Sequence, residues 1–456
     1  MSRSKLHAVI GGGGLAGSLL ALVLAKRGYR VTVLEKRSDL RGKDAPGGRS
    51  INLALSERGM YALGNVGLAE KALKQTIPMR GRLIHNTDGS TNFLPYSRHP
   101  HEFIRSVSRP GLNRLLLEEA SNHPNIKLFF ECSVVEVDQQ EKTIVVQDAQ
   151  GTLSKRSFDL LFGADGAGSA IRKSLGLESA DVFSSEMLEH SYKELEMPSL
   201  ENGDFAMSPE ALHIWPRGTY MLIALPNLNR SFTCTLFLPN DGAPGFNQLT
   251  DADTLRAFFN DQFADAVRLL PSLEHDFFSN PTGSLGTIRC SSWTTSGHSL
   301  LLGDAAHAIV PFFGQGMNCA FEDVSVLSEM MDQTQEIDWP SLMGAFESSR
   351  IPNTNAIADM ALENYIEMRD LVADEGFRLR RRVALELENR FPKQFKPRYS
   401  LVSFERVPYK VVQETGRNQS EILLTLCQDV TDFEHVDWTL AEQLVSRLPS
   451  LDGEAH

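Results

Sequence analysis

The segment from Leu6 to Glu35 restricts the fold of this chain more than any other. Leu6–Ile10 is a short apolar run, and Gly12-Gly13-Gly14-Leu15-Ala16-Gly17 follows it. Leu15–Lys26 is apolar and alanine-rich, Gly28 punctuates, and Tyr29–Leu34 is a second apolar run closed by Glu35. The pattern predicts strand, tight turn, helix and parallel strand. Gly28 suits the positive φ at which such helices end. Gly12 permits the turn, Gly14 lets a pyrophosphate approach the backbone, and Gly17 lets the helix pack against the strand. Leu15 and Ala16 open the helix, whose unpaired N–H groups and positive dipole end favour phosphate. Glu35, 23 residues after Gly12, stands where a carboxylate accepts from ribose hydroxyls. A glycine-rich turn without a ligand is the bland alternative; strand, helix and acid in correct order weigh against it.

Two further signatures have a similar build. Gly163-Ala164-Asp165-Gly166 follows Leu160-Leu161-Phe162, and Gly303-Asp304-Ala305-Ala306-His307 follows Leu300-Leu301-Leu302. Either aspartate alone would read as a helix N-cap. Asp304, however, is followed by Pro311 and by Gly314-Gln315-Gly316-Met317-Asn318, a loop turning into a helix that buries Phe321, Val324 and Leu327. The positive end of that helix would stabilise an anionic reduced flavin, with Asp304 on ribityl or ribose hydroxyls. The three motifs in this order point to FAD. His307 reads as a packed, hydrogen-bonded residue and not as a catalyst.

The chain has 456 residues, enough for two or three domains. Its net charge of −13 argues against a nucleic-acid partner and does not favour an anionic membrane. Five widely spaced cysteines without a CxxC pair suit reduced thiols and a cytoplasmic setting. No signal-peptide pattern opens the chain, and no apolar run reaches the ~20 residues that cross a bilayer, so no membrane anchor is expected. Residues 1–180 and 294–335 are assigned to a discontinuous α/β, Rossmann-like FAD-binding domain. Residues 181–293, with parts of 50–106, read as an inserted antiparallel β-sheet domain, its strand-like runs being Leu212–Trp215, Tyr220–Leu225 and Ser231–Leu238. Residues 336–456 read as a C-terminal helical region, its last ~45 residues a helical cap. The basic run Arg378–Arg382, near Glu386 and Glu388, reads as a solvated, ion-paired helix face. The polar excursion Arg41–Arg49 reads as loop. No metal-ligand spacing stands out.

With GxGxxG, Glu35, Arg109-Pro110-Gly111-Leu112 and both aspartate signatures, the chain resembles the single-component FAD-dependent aromatic hydroxylases of the para-hydroxybenzoate hydroxylase type. Arg49–Ser56, Met79-Arg80-Gly81-Arg82, Leu212–Pro216, Met360–Tyr365 and Pro397-Arg398-Tyr399-Ser400 are similar to the members of that class that act on kynurenine, over residues 6 to about 410. The resemblance implies a permanently bound FAD, NADPH as reductant and O2 as co-substrate. It implies hydroxylation ortho to the aniline nitrogen through a flavin C4a-hydroperoxide, with no catalytic side chain. It places Gly12, Gly14, Leu15, Ala16, Gly17, Glu35, Arg37, Ala54, Arg109, Asp165, Asp304, Gly316, Met317 and Asn318 at the cofactor. It places Arg82, Tyr96, Phe313, Asn364, Glu367, Met368 and Tyr399, with Gln315 nearby, at the small-molecule aromatic amino-acid substrate. An arginine fork suits the substrate carboxylate, and phenol and amide groups suit its orientation. Monomer or homodimer, NADPH or NADH, and another aromatic substrate stay open from the residues alone, as does a non-catalytic binding protein of the GxGxxG fold.

Overall fold

The computed structural model describes residues 6–42, 52–371 and 374–451. Residues 43–51, which carry most of the polar excursion and the first three residues of the Arg49–Ser56 string, lie outside the described residues. The chain divides into two compact units.

The first unit comprises Met1–Thr76, Val107–Met187 and Gly286–Ala358. Its main sheet has six strands, in the order Thr294–Thr295, Ser299–Leu301, Leu160–Gly163, His7–Gly11, Arg30–Leu34 and Ile126–Phe129. All neighbours pair in parallel except the first two. A parallel sheet is covered on both faces, so its strands read as near-continuous apolar runs, and Leu160–Gly163 is buried at every position. The helix Leu15–Lys26 is buried from Gly17 through Ala25, as an all-apolar helix must be. It ends at Gly28, whose φ is +85°.

The register decides where chemistry can occur. Gly11 lies opposite Gly163, and Gly163 lies opposite Leu301. All three motifs therefore leave the sheet at one level, at the carboxyl ends of adjacent parallel strands. In open α/β sheets that edge is where ligands bind.

The second unit comprises Ile77–Ser106, Leu188–Leu285 and Asp359–His456. Its sheet contains Phe232–Pro239, Met221–Pro226, Ala211–Pro216, Gly81–His85 and Thr91–Pro95 as successive neighbours. The pairing is antiparallel except where Ala211–Ile214 runs parallel to Gly81–Ile84. One face carries Trp215, Phe232 and Leu236, packed with Leu255, Phe259, Phe263 and Phe277. Those four come from the stretch Ala252–Ser279, whose three short helices the sequence reading did not resolve. Toward the C-terminus, Glu375–Arg390, Tyr409–Leu426 and Trp438–Val445 are helices that bury Val383, Leu387, Ile422, Leu426, Ala441 and Val445 together. No described helix is long and apolar enough to cross a membrane. All five cysteines are free.

Candidate active site

The glycine turn is shaped by its own backbone. Gly12 has φ +100°, and a Cβ there would meet the Ala164 carbonyl oxygen at 2.2 Å. A Cβ on Gly17 would meet the Gly12 oxygen at 2.0 Å, so helix and strand touch only because both residues are glycine. Gly14 differs: a Cβ there meets nothing within 4 Å. It is the N-cap of the helix Leu15–Lys26 and offers no side-chain cap. The first N–H groups of that helix, including those of Leu15 and Ala16, thus keep the orphaned character of helix starts. Glu35 is buried at the end of its strand. It accepts the Gly13 N–H at 2.8 Å through Oε2, and the backbone and Nε of Arg37 at 2.9 Å through Oε1.

The two aspartate signatures part company. Asp165 works inside its turn, accepting from the Ser169 hydroxyl at 2.5 Å and the Ile171 N–H at 3.2 Å. Asp304 is exposed between buried Gly303 and Ala305. Below it, Asp323 Oδ2 accepts the Gly303 N–H at 3.0 Å and contacts His307 Nε2 at 2.6 Å. Arg350 Nε donates to the other Asp323 oxygen at 2.8 Å. Burial alone would lower the His307 pKa, but the Asp323 charge outweighs it and raises it to about 10. His307 stacks on Trp293, with ring centroids 5.1 Å apart. It is a buried cation in a structural network, as its motif context suggested.

Asn318 is fully buried near the start of the helix Gly316–Asp332. Its Nδ2 donates to the carbonyls of Ala54 at 2.8 Å and Gly314 at 2.9 Å, and its Oδ1 accepts the Ser56 N–H at 3.0 Å. One amide thus fixes the strand Asn52–Leu55 against the turn before Gly316 and Met317. Gly314 is left-handed, with φ +68°, and a Cβ there would crowd Ala54 at 2.9 Å. Gln315 is the N-cap residue, without a side-chain cap bond. Phe313 is buried in the 3-10 turn Pro311–Phe313 of this same unit. Arg109, at the first position of the helix Arg109–Asn122, is exposed.

The residues fit a dinucleotide such as FAD. The uncapped helix start, the open space at Gly14, the buried acid Glu35 and the exposed Asp304 supply donors for phosphates and acceptors for hydroxyls along one sheet edge. The sequence reading missed Asn113, whose Nδ2 donates to the Gly13 carbonyl at 3.3 Å. Its place one turn after Arg109 is the signal that could have found it.

In the second unit, six of the seven proposed substrate residues come together. Arg82 is buried on the strand Gly81–His85. Its Nη1 lies 3.1 Å from Glu367 Oε1, and its Nη2 lies 3.5 Å from Asn364 Oδ1. The guanidinium stands 5.8 Å from the Tyr96 ring centroid and 5.1 Å from that of Tyr399. Those two rings stack at 4.7 Å with planes 8° apart. Asn364 Nδ2 points at Met368 Sδ, 3.3 Å away. Asn364 lies in the last turn of the helix Trp339–Ile366, and Glu367 and Met368 open the π-helical turn Glu367–Leu371 that follows it. Two buried groups here have no hydrogen-bond partner among the described residues, Arg82 Nε and the Tyr96 hydroxyl. Burial pushes the Tyr96 phenol well above its ordinary value and raises that of Tyr399, so both stay protonated. Burial opposes the Arg82 charge, and Glu367 restores it.

Arg381 corrects the reading of the basic run as a solvated face. It turns inward and donates to the Tyr96 carbonyl at 3.1 Å and the Pro95 carbonyl at 3.3 Å. Burial and the nearby Arg82 lower its pKa. The helix Glu375–Arg390 needs a cation at that position to satisfy two carbonyls, which charge patterning alone does not reveal.

The FAD binding domain family matches residues 5–361, so the sheet edge belongs to a flavin-binding class of enzymes. Among solved structures, the chain is similar to 2-methyl-3-hydroxypyridine-5-carboxylic acid oxygenase, with TM-score 0.66 and 20% identity over 82% of this chain and 95% of that one. It is also similar to PqsL of P. aeruginosa, solved with 2-aminobenzoylacetate, with TM-score 0.65 and 18% identity over 80% of this chain and 97% of that one. These likenesses concern the fold. In sequence, the kynurenine 3-monooxygenase of Myxococcus xanthus is 46% identical over 451 residues, covering 98% of this chain and 97% of its own. That of Legionella pneumophila is 41% identical, covering 96% of this chain and 97% of its own. The chain belongs to the kynurenine 3-monooxygenase family.

Proposed function

We propose that this enzyme hydroxylates L-kynurenine to 3-hydroxy-L-kynurenine with NADPH and O2, as part of tryptophan degradation. The observation that carries the substrate is the buried Arg82, held by Glu367 and Asn364 beside two protonated tyrosines. An amino acid brings a carboxylate and an ammonium together, and an arginine–glutamate pair offers each of them its opposite charge. Among the described residues, Arg82 Nε and the Tyr96 hydroxyl find no well-formed partner of the kind buried polar groups require. Asn364 and Tyr399 complete the polar end, with Met368 as apolar lining.

Bound FAD supplies hydride acceptance from NADPH and delivery of one oxygen atom from O2 to the ring. The chain supplies placement. The N–H groups at Leu15, Ala16 and Gly17, with the open backbone at Gly14, would hold the pyrophosphate, and Glu35 would take ribose hydroxyls beside Arg37. Asp304 would take the ribityl chain, and the start of the helix at Gly316, Met317 and Asn318 would face the flavin ring near Ala54. Asp165, whose carboxylate is engaged within its own turn, would act by shaping that turn. Arg109 would reach the cofactor from the start of its helix. Phe312 and Phe313, both buried, would keep water from the reacting oxygen. The aniline nitrogen already activates the ring, so no side chain need serve as a strong base. The five free cysteines support a reducing, cytoplasmic setting.

The test is NADPH consumption with and without L-kynurenine. Acceleration by kynurenine in the native enzyme, lost in Arg82→Ala while the flavin spectrum persists, supports the reading. NADPH consumed while kynurenine stays unchanged and peroxide accumulates would remove the substrate assignment.

A further inference from the structure

Outside both sites, the second unit holds a buried acid that nothing in the mechanism uses. Glu388, on the helix Glu375–Arg390, is 5% exposed. Among the described residues, neither of its carboxylate oxygens has a hydrogen-bond partner. Burying an acid without hydrogen bonds is costly, and more so if it is charged. Natural chains keep such a group where something else satisfies it.

What faces Glu388 is a donor set. His99, Glu102 and Glu388 each offer one ligand atom, and the three atoms lie within 4.8 Å of one another. His99 and Glu102 share a single turn, closed by the Glu102 N–H donating to the His99 carbonyl at 3.0 Å. Glu102 is anchored, since its Oε2 accepts from Ser97 Oγ at 2.5 Å and its Oε1 from Lys396 Nζ at 2.9 Å. Lys396 is itself shared with Glu405 at 2.6 Å. Around the cluster, the carboxylates of Glu102, Glu388 and Glu405 face the Lys396 ammonium, with the Arg381 guanidinium also near Glu388.

We propose that His99, Glu102 and Glu388 bind one divalent cation of the first transition row. One imidazole and two carboxylates form a mixed nitrogen and oxygen set that such ions accept, with water filling the open positions. Ligand atoms on a tetrahedral ion lie about 3.3 Å apart, a spacing inside the 4.8 Å span that bounds these three atoms. His99 is exposed on a surface turn, its ring centroid 5.7 Å from that of His101. The bound ion would fasten the turn after Tyr96 to the helix that carries Arg381, and so brace the polar end of the substrate pocket from outside it.

The full-length protein, stripped with chelator, is dialysed against micromolar Zn2+ or, separately, Mn2+ and assayed for bound metal and for thermal melting. One ion per chain and a higher melting temperature are expected. His99→Gln and Glu388→Gln should each weaken binding by about tenfold or more and abolish the rise in melting temperature. His99 is exposed, so its variant keeps the test decisive even if Glu388→Gln folds poorly. Absence of stoichiometric binding, or native affinity in His99→Gln, would overturn the proposal. An unligated, neutral Glu388 carboxyl would then be the account, and Glu388→Gln would leave the protein's stability unchanged.

Discussion

Arg82 Nη1 and Glu367 Oε1 lie 3.1 Å apart, one on the strand Gly81–His85 and the other on the π-turn after the helix Trp339–Ile366. The arginine proposed to take the substrate carboxylate is already paired, so the substrate must complete an ion pair and not merely meet a lone charge. Breaking one member of a buried charged pair penalises the other. Glu367→Gln should therefore raise the KM for L-kynurenine by about tenfold and leave that for an analogue without the α-amino group nearly unchanged. Arg82→Lys should raise both, because an ammonium lacks the bidentate fork. Steady-state kinetics with the two substrates separate these outcomes. Equal effects of Glu367→Gln on both would refute the ammonium role.

Among the described residues the buried Tyr96 hydroxyl makes no well-formed hydrogen bond, so Tyr96→Phe costs the ligand-free protein little. Its melting temperature should hold or rise slightly. The KM for kynurenine should rise by roughly fivefold, about 1 kcal/mol for one lost hydrogen bond. A fall in stability with unchanged KM would make Tyr96 a packing residue only.

Two glycines of one loop should fail in different ways. Gly12→Ala places a methyl 2.2 Å from the Ala164 carbonyl at φ +100°, and it should cost folding itself. Gly14→Ala places a methyl in open space, so the protein should melt normally yet purify with little or no flavin. Flavin absorbance per chain together with a thermal melt reads both. A yellow Gly14→Ala protein would mean that the pyrophosphate does not pass there.

The Rossmann-like unit was legible because its signals are local. Glycines fixed by positive φ, apolar runs and Glu35 all lie within one βαβ unit. The cluster proposed for the substrate was legible only through resemblance, since Arg82, Tyr96, Asn364 and Tyr399 are far apart in sequence and each reads alone as an ordinary surface or packing residue. Arg381 and Asn113 escaped because both hydrogen-bond to backbone carbonyls, and a carbonyl leaves no mark on the sequence of its partner. The helices in Ala252–Ser279 escaped because they are short, and their apolar residues were not read against a sheet face. Asp165 and Asp304 look alike as motifs; only the structure shows one carboxylate spent inside its turn and the other exposed.

His307 gives the stability a pH dependence of known sign. Its pKa is about 10 in the folded protein against 6.5 ordinarily. The folded state holds the proton more tightly, so the stabilisation is fully present below pH 6.5 and is lost as pH rises toward 10. Thermal melts from pH 7 to pH 10 should show a decline that is shallower in His307→Gln. Parallel curves for the two proteins would show that the His307–Asp323 pair is not ionised as described.

The flavin-loaded enzyme is given NADPH, L-kynurenine and isotopically labelled O2, and the product is identified by mass. The expected product is 3-hydroxykynurenine carrying one labelled oxygen, formed in step with NADPH consumed. Unchanged kynurenine, with NADPH oxidised and the label recovered as hydrogen peroxide, would contradict it.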